Sequence, residues 1–122
     1  MPFPDTVLFY VQDVSRSQAF YTPLLGAEPV HASADFVLYI GDKGLKFALW
    51  RLGDAKPAAS VTGGGGEINF TAKSRDEVDG LYTTWSKNEV EFLQKPVDMQ
   101  FIGYSFVAVD PDGHRIRVLF DA

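Results

Sequence analysis

The chain contains no cysteine, which excludes disulfides, thiolate metal sites and a cysteine nucleophile. Basic residues are in deficit: 11 Lys and Arg stand against 16 Asp and Glu, the formal net charge is -5, and no basic cluster interrupts the sequence. A nucleic-acid backbone or an anionic membrane is therefore a poor electrostatic partner. No apolar run reaches membrane-spanning length, and no basic start is followed by an apolar segment at the amino terminus, so cytoplasmic residence is expected. A Ser-His-Asp arrangement and paired carboxylates are also missing, which leaves Glu67 and Tyr10 as the only candidates for acid–base work and no assigned catalytic residue. What is plentiful is apolar and aromatic. With 46% hydrophobic and 14% aromatic residues in 122, the chain can build the core of a single domain, residues 1–122.

Taken in order, Thr6 to Val11 reads as a β-branched and aromatic strand closed by Gln12 and Asp13. Ser15 is a plausible N-cap for a helix whose stripe is Phe20, Tyr21, Leu24 and Leu25, with Pro23 distorting its last turn and Gly26 as its stop. Strands follow at about Glu28 to His31, Phe36 to Ile40 and Leu45 to Trp50, the last two joined by a turn over Gly41 to Gly44. Residues 52–65 form a connector containing Pro57, without periodicity. Its Gly63 to Gly66 run lacks the Lys-Ser/Thr and the helix that a phosphate cradle needs, so a flexible linker is the better reading. The pattern then restarts. Glu67 to Thr71 is a strand, Asp76 caps a helix bearing Val78, Leu81, Tyr82 and Trp85, and Glu91 to Gln94 and Gly103 to Val109 are strands. A final hairpin turns through Asp110-Pro111-Asp112-Gly113 into Arg115 to Phe120.

The second half repeats the first. Adding 61 carries Thr6 to Glu67, Ser15 to Asp76, Tyr21 to Tyr82 and Leu24 to Trp85; adding 69 carries Gly44 to Gly113, Phe47 to Ile116 and Leu49 to Val118. Pro96 to Gln100, where the strand pattern breaks, absorbs the eight-residue difference. The expected fold is α+β: tandem βαβββ repeats, about 5–51 and 66–122, forming a cupped mixed sheet. One helix per repeat can cover only one sheet face, and the apolar alternation assigns Val7, Phe9, Val11, Phe47, Leu49, Ile68, Phe70, Ile116, Val118 and Phe120 to it. The other face carries Thr6, Leu8, Tyr10, Lys46, Ala48, Trp50, Glu67, Asn69, Thr71, Arg115, Arg117 and Leu119. That mixture of polar and aromatic groups suits a surface that meets a ligand.

On the segments 11–21, Leu24 to Gly26 and Asp110 to Ile116, the chain resembles the vicinal oxygen chelate superfamily, which includes glyoxalase I, extradiol dioxygenases and the fosfomycin and bleomycin resistance proteins. A closer likeness, carried by Tyr10-Val11, Glu28 to Val30, Phe47 to Trp50, Glu67-Ile68, Asp76 to Asp79 and Asp110 to Val118, is to the phenazine antibiotic resistance proteins of that superfamily. The resemblance implies metal-ligand positions at Thr6, Ala48, Glu67 and Arg117, of which only Glu67 suits a divalent ion. A guanidinium stays protonated and repels one. His31 and His114 fall on an edge strand and in a turn. The resemblance thus implies a homodimer, without metal or other cofactor, that holds a planar aromatic drug unaltered in a groove shared by both chains.

Several residues then become candidates for ligand contact. Trp50 offers a π face for stacking, or packs at a dimer seam. Phe101, Tyr104 and Met99 lie in the extra segment, where they would form a wall closing on an aromatic guest. Arg117 and Glu67 are either an ion pair replacing the metal, or Arg117 or Arg115 forks onto a ligand carboxylate. Asn69 and Tyr10 complete the set, while Tyr82, Trp85 and Phe106 are expected in the core and Lys95 and Asp98 in solvent. Beside this drug-binding reading stand a metal-dependent lyase, isomerase or dioxygenase using Glu67, and an interaction module with a vestigial cavity.

Overall fold

The structure is a computed structural model and describes residues 4–121. The chain divides into two compact units between Gly63 and Gly64. The first contains β1 (Thr6–Val11), α1 (Val14–Leu25), β2 (His31–Ala32), β3 (Phe36–Ile40) and β4 (Lys46–Arg51), then one 3-10 turn at Leu52–Asp54. The second contains β5 (Glu67–Thr71), α2 (Arg75–Ser86), β6 (Glu91–Met99), β7 (Gly103–Val109) and β8 (Arg115–Phe120). The strand orders are β1-β4-β3-β2 and β5-β8-β7-β6. In each, the first strand lies parallel to the last and the remaining pairs are antiparallel. The registers Thr6 opposite Lys46 and Glu67 opposite Arg115 reproduce both sequence offsets, so the fold is α+β with a doubled βαβββ unit. Each repeat builds its own four-stranded mixed sheet.

Period-two alternation puts one apolar face of each sheet under its helix. In the first unit Val11, Val37, Tyr39, Phe47 and Leu49 are buried beneath α1, whose inward residues are Val14, Ser17 and Tyr21. The Tyr21 ring meets Phe47 edge-on at 4.8 Å, and the Tyr39 hydroxyl hydrogen-bonds the Thr22 hydroxyl at 2.8 Å. Burial raises the Tyr39 pKa, and the Thr22 hydrogen bond partly offsets this. In the second unit Trp85 of α2 meets Phe70 and Phe106 at 6.1 and 5.3 Å, while Tyr82 meets Phe92 at 4.5 Å. Each fully buried ring of this kind contributes roughly 1.5–3 kcal/mol of hydrophobic stabilisation. The last turn is closed by Asp110, whose Oδ1 accepts from the amides of Asp112 and His114, each at 2.8 Å, with Gly113 at φ +90°.

Several boundaries differ from the sequence expectation. The N-cap of α1 is Asp13, which accepts from the Arg16 amide, and Ser15 lies inside the helix because Val14 is drawn into the core. Ser74, not Asp76, caps α2 by accepting from the Glu77 amide, and the Glu77 carboxylate in turn accepts from the Lys73 amide. β2 is only His31–Ala32 instead of Glu28 to His31, and β4 begins at Lys46 instead of Leu45. β6 does not stop at Gln94 but runs through Pro96 to Met99, with register shifts on both sides of Gln94. Proline is tolerated there because β6 is an edge strand, where a missing N–H breaks no ladder. No helix among the described residues is long and apolar enough to cross a membrane.

Candidate functional site

The sheet face turned away from each helix carries the candidate chemistry. In the first unit the register sets Phe36 opposite Trp50 and Trp50 opposite Tyr10, so three aromatic side chains form one row across β3, β4 and β1. Ring centroids are 6.5 Å apart for Phe36 and Trp50 and 6.4 Å for Trp50 and Tyr10, and His31 of β2, opposite Leu38 in a neighbouring register row, lies 6.2 Å from Phe36. Rings tilted and edge-on at these distances leave π surface free to stack on a flat guest. Phe36 and His31 were not among the candidates read from sequence. The sequence puts Phe36 on a strand, but its facing depends on the β3–β4 register.

In the second unit this face is polar. Arg117 Nε donates to Glu67 Oε1 at 2.7 Å, Nη2 reaches Oε2 at 3.4 Å, and Nη1 donates to the buried Ser105 hydroxyl at 3.0 Å. The two charged side chains are only 12% and 24% exposed, so the pair is shielded from solvent screening. With its amide turned so that nitrogen faces the acceptors, Asn69 lies 3.1 Å from the same Glu67 oxygen. Arg117, Glu67 and Asn69 are thus brought together. Arg115 stands on the same face, opposite Glu67, and is exposed. Met99 joins this face as an acceptor for Gln94 Nε2 at 3.6 Å.

Two candidates lie elsewhere. Phe101 sits at the tip of the β6–β7 connection in left-handed backbone, φ +71°, and is 90% exposed. Tyr104 pairs with Phe120 and therefore points to the helix side, where its hydroxyl donates to Asp79 of α2 at 2.5 Å and the Arg75 guanidinium lies 3.9 Å above its ring. The Asp79 hydrogen bond, with smaller help from desolvation, raises the Tyr104 pKa. Asp98, exposed as expected, is nonetheless paired with Arg75 at 2.7 Å. That hydrogen bond depresses its pKa. Because the folded value lies below the unfolded one, the pair contributes above the unfolded carboxylate pKa and is lost as pH falls through the folded value. Carboxyl NMR titration is expected to show Asp98 protonating at lower pH than in an Arg75→Gln variant; coincident curves would refute the pairing.

Of the positions at which the family resemblance implies metal ligands, Thr6 carries a hydroxyl bonded to Asp5, Ala48 has no donor, Arg117 is cationic, and Glu67 is held by Arg117. Among the described residues no three His, Asp or Glu side chains gather as a metal would require. This donor set does not fit a divalent ion.

Residues 4–118 match the family described as the Glyoxalase/Bleomycin resistance protein/Dioxygenase superfamily. The phenazine antibiotic resistance protein EhpR of Enterobacter agglomerans is 32% identical over 118 residues, covering 94% of this chain and 89% of its own. Among solved structures, the solution structure of a protein from Agrobacterium tumefaciens is 43% identical with a TM-score of 0.90, over 100% of this chain and 99% of that one. The crystal structure of a glyoxalase-related enzyme from Fulvimarina pelagi has a TM-score of 0.86 over 99% of this chain and 89% of its own; at 19% identity it shares the fold alone.

Proposed function

Starting from the fact that the chain belongs to the glyoxalase/bleomycin resistance protein/dioxygenase superfamily, we propose that it is a drug-binding resistance protein. It sequesters a planar aromatic antibiotic of the phenazine kind, without metal and without altering it, in a cavity shared by two copies of the chain. The observation that carries this reading is the pairing of Arg117 with Glu67, which puts a cation at one of the positions where the family resemblance implies a metal ligand and ties up the only carboxylate among those positions. A surface for a flat guest remains in the Tyr10, Trp50 and Phe36 row, where each stacked ring contributes roughly 0.5–1.5 kcal/mol beyond area burial. Similarity to the phenazine antibiotic resistance protein of Enterobacter agglomerans supports the same ligand class. In the second unit Arg117, Glu67, Asn69 and Arg115 give the helix-free face its polar candidate contacts, with Met99 on the same face. Tyr104 and Phe101 contribute by fixing and extending the β6–β7 hairpin.

The two tryptophans make the test specific. Trp50 stands on the helix-free face, whereas Trp85 is 3% exposed in the core of the second unit. Titration with 1-hydroxyphenazine is expected to quench fluorescence in the wild type and in Trp85→Phe, and to lose most of its quenching in Trp50→Phe. The compound released afterwards should be chemically unchanged by mass spectrometry. An intact dimer by sedimentation that shows no quenching at high micromolar ligand would overturn the proposal, as would stoichiometric metal in the purified protein.

A further inference from the structure

One register row on the helix-free face of the second sheet runs Gln94, Val107, Arg117, Asn69 across β6, β7, β8 and β5. Val107 is 2% exposed and the neighbouring Ser105 fully buried, so the middle of the row is dry. Its side-chain donors are engaged, and one buried acceptor stands apart. Arg117 spends its nitrogens on Glu67 and Ser105, and the Asn69 amide nitrogen faces Glu67 and the Ile68 carbonyl. Gln94 gives Nε2 to the Met99 sulfur at 3.6 Å, while its Oε1 is buried and meets no donor from the described chain. Turning the amide over would not help. A thioether accepts but has no proton to donate, so the oxygen would then face sulfur instead of a donor. Buried carbonyl oxygens are ordinarily bonded, because leaving one without a donor forfeits the hydration it had in the unfolded chain.

We infer that Gln94 Oε1 is a specificity-determining acceptor, taking a hydrogen bond from a neutral hydroxyl or N–H on the aromatic guest. This rests on the binding function proposed above and narrows its ligand class. The one cation of this row, Arg117, is already paired with Glu67 of the next. A neutral donor finds Gln94. The favoured guest is therefore a planar heteroaromatic carrying a ring hydroxyl or a ring N–H. Its O-methylated counterpart, which can only accept, leaves the carbonyl stranded. Such a mismatch discriminates more strongly than a change of apolar bulk does.

Calorimetric titration of the full chain with 1-hydroxyphenazine and 1-methoxyphenazine tests this without relying on tryptophan. The hydroxyl compound is expected to bind at least tenfold tighter, about 1.4 kcal/mol. Gln94→Leu should bring the two affinities within twofold by weakening only the hydroxyl compound, and Gln94→Met, nearer in shape, does the same if the leucine variant does not fold. Equal binding of both compounds to the wild type, or a preference that survives in either variant, overturns the inference and leaves the aromatic-binding reading standing. Absence of binding by both compounds removes the two together.

Discussion

Replacing Gly103 by alanine is expected to lower the free energy of unfolding by about 3 kcal/mol or more, a large share of the margin of a small domain. Two causes add. At φ +96° the residue occupies backbone that L side chains rarely adopt. A Cβ built there would also strike the Phe120 carbonyl oxygen and stand 3.0 Å from the Phe120 carbonyl carbon and the Asp121 Cα, all of them backbone atoms that cannot rotate aside. The β7–β8 pair would have to part where Tyr104 faces Phe120. Gly113 supplies the control, since it has φ +90° but open space around the missing side chain. Gly113→Ala should therefore cost only the conformational part, about 1 kcal/mol. Urea midpoints of the two variants separate the effects, and equal shifts would show that crowding at Gly103 plays no part.

Much of this fold is legible in the sequence because its signals are local and repeated. Strands β1, β3, β5 and β7 begin and end where alternation and turn residues say they should. The two offsets foretell which strands are equivalent. The errors have identifiable origins. Ser74 and Glu77 spell a capping box one turn ahead of the apolar stripe, a signal present in the sequence but outweighed there by Asp76. At Pro96 a rule about central strands does not apply, because sequence cannot say which strand lies at an edge.

The candidate site was harder to read, for a reason of register. The β3–β4 connection spans Gly41 to Leu45, not Gly41 to Gly44, as the Gly41 amide bonded to the Leu45 carbonyl shows. A slip of one residue there moves every side chain of β3 to the other face. The partnership of Phe36 with Trp50 thus follows from turn geometry that composition does not encode. Tyr104 illustrates the opposite limit: it neighbours Ser105 in sequence yet points to the helix side, while Ser105 points to Arg117. Nearness in sequence within a strand is separation in space.

The largest effect expected from a pair of side chains belongs to Glu67 and Arg117. Arg117→Ala should destabilise the protein by about 2 kcal/mol, less than the 3–5 kcal/mol typical of a fully buried pair because both side chains keep some contact with water. The loss arises mainly from what is left behind: a shielded carboxylate and a buried Ser105 hydroxyl whose guanidinium partner is gone. Arg117→Lys should recover only part of it, since an ammonium cannot hold the carboxylate and Ser105 in the same fork. Removing both charges in Glu67→Leu with Arg117→Met should restore most of the stability, because desolvation of two ions is then no longer required. Denaturant midpoints for the wild type, Glu67→Leu, Arg117→Met and the double variant, combined as a double-mutant cycle, measure the coupling; additive losses would refute it. The same double variant separates structure from recognition. If the pair serves to fill the polar part of the face, 1-hydroxyphenazine affinity survives in it. Should affinity fall more than tenfold in a protein of restored stability, the guanidinium or the carboxylate touches the guest directly.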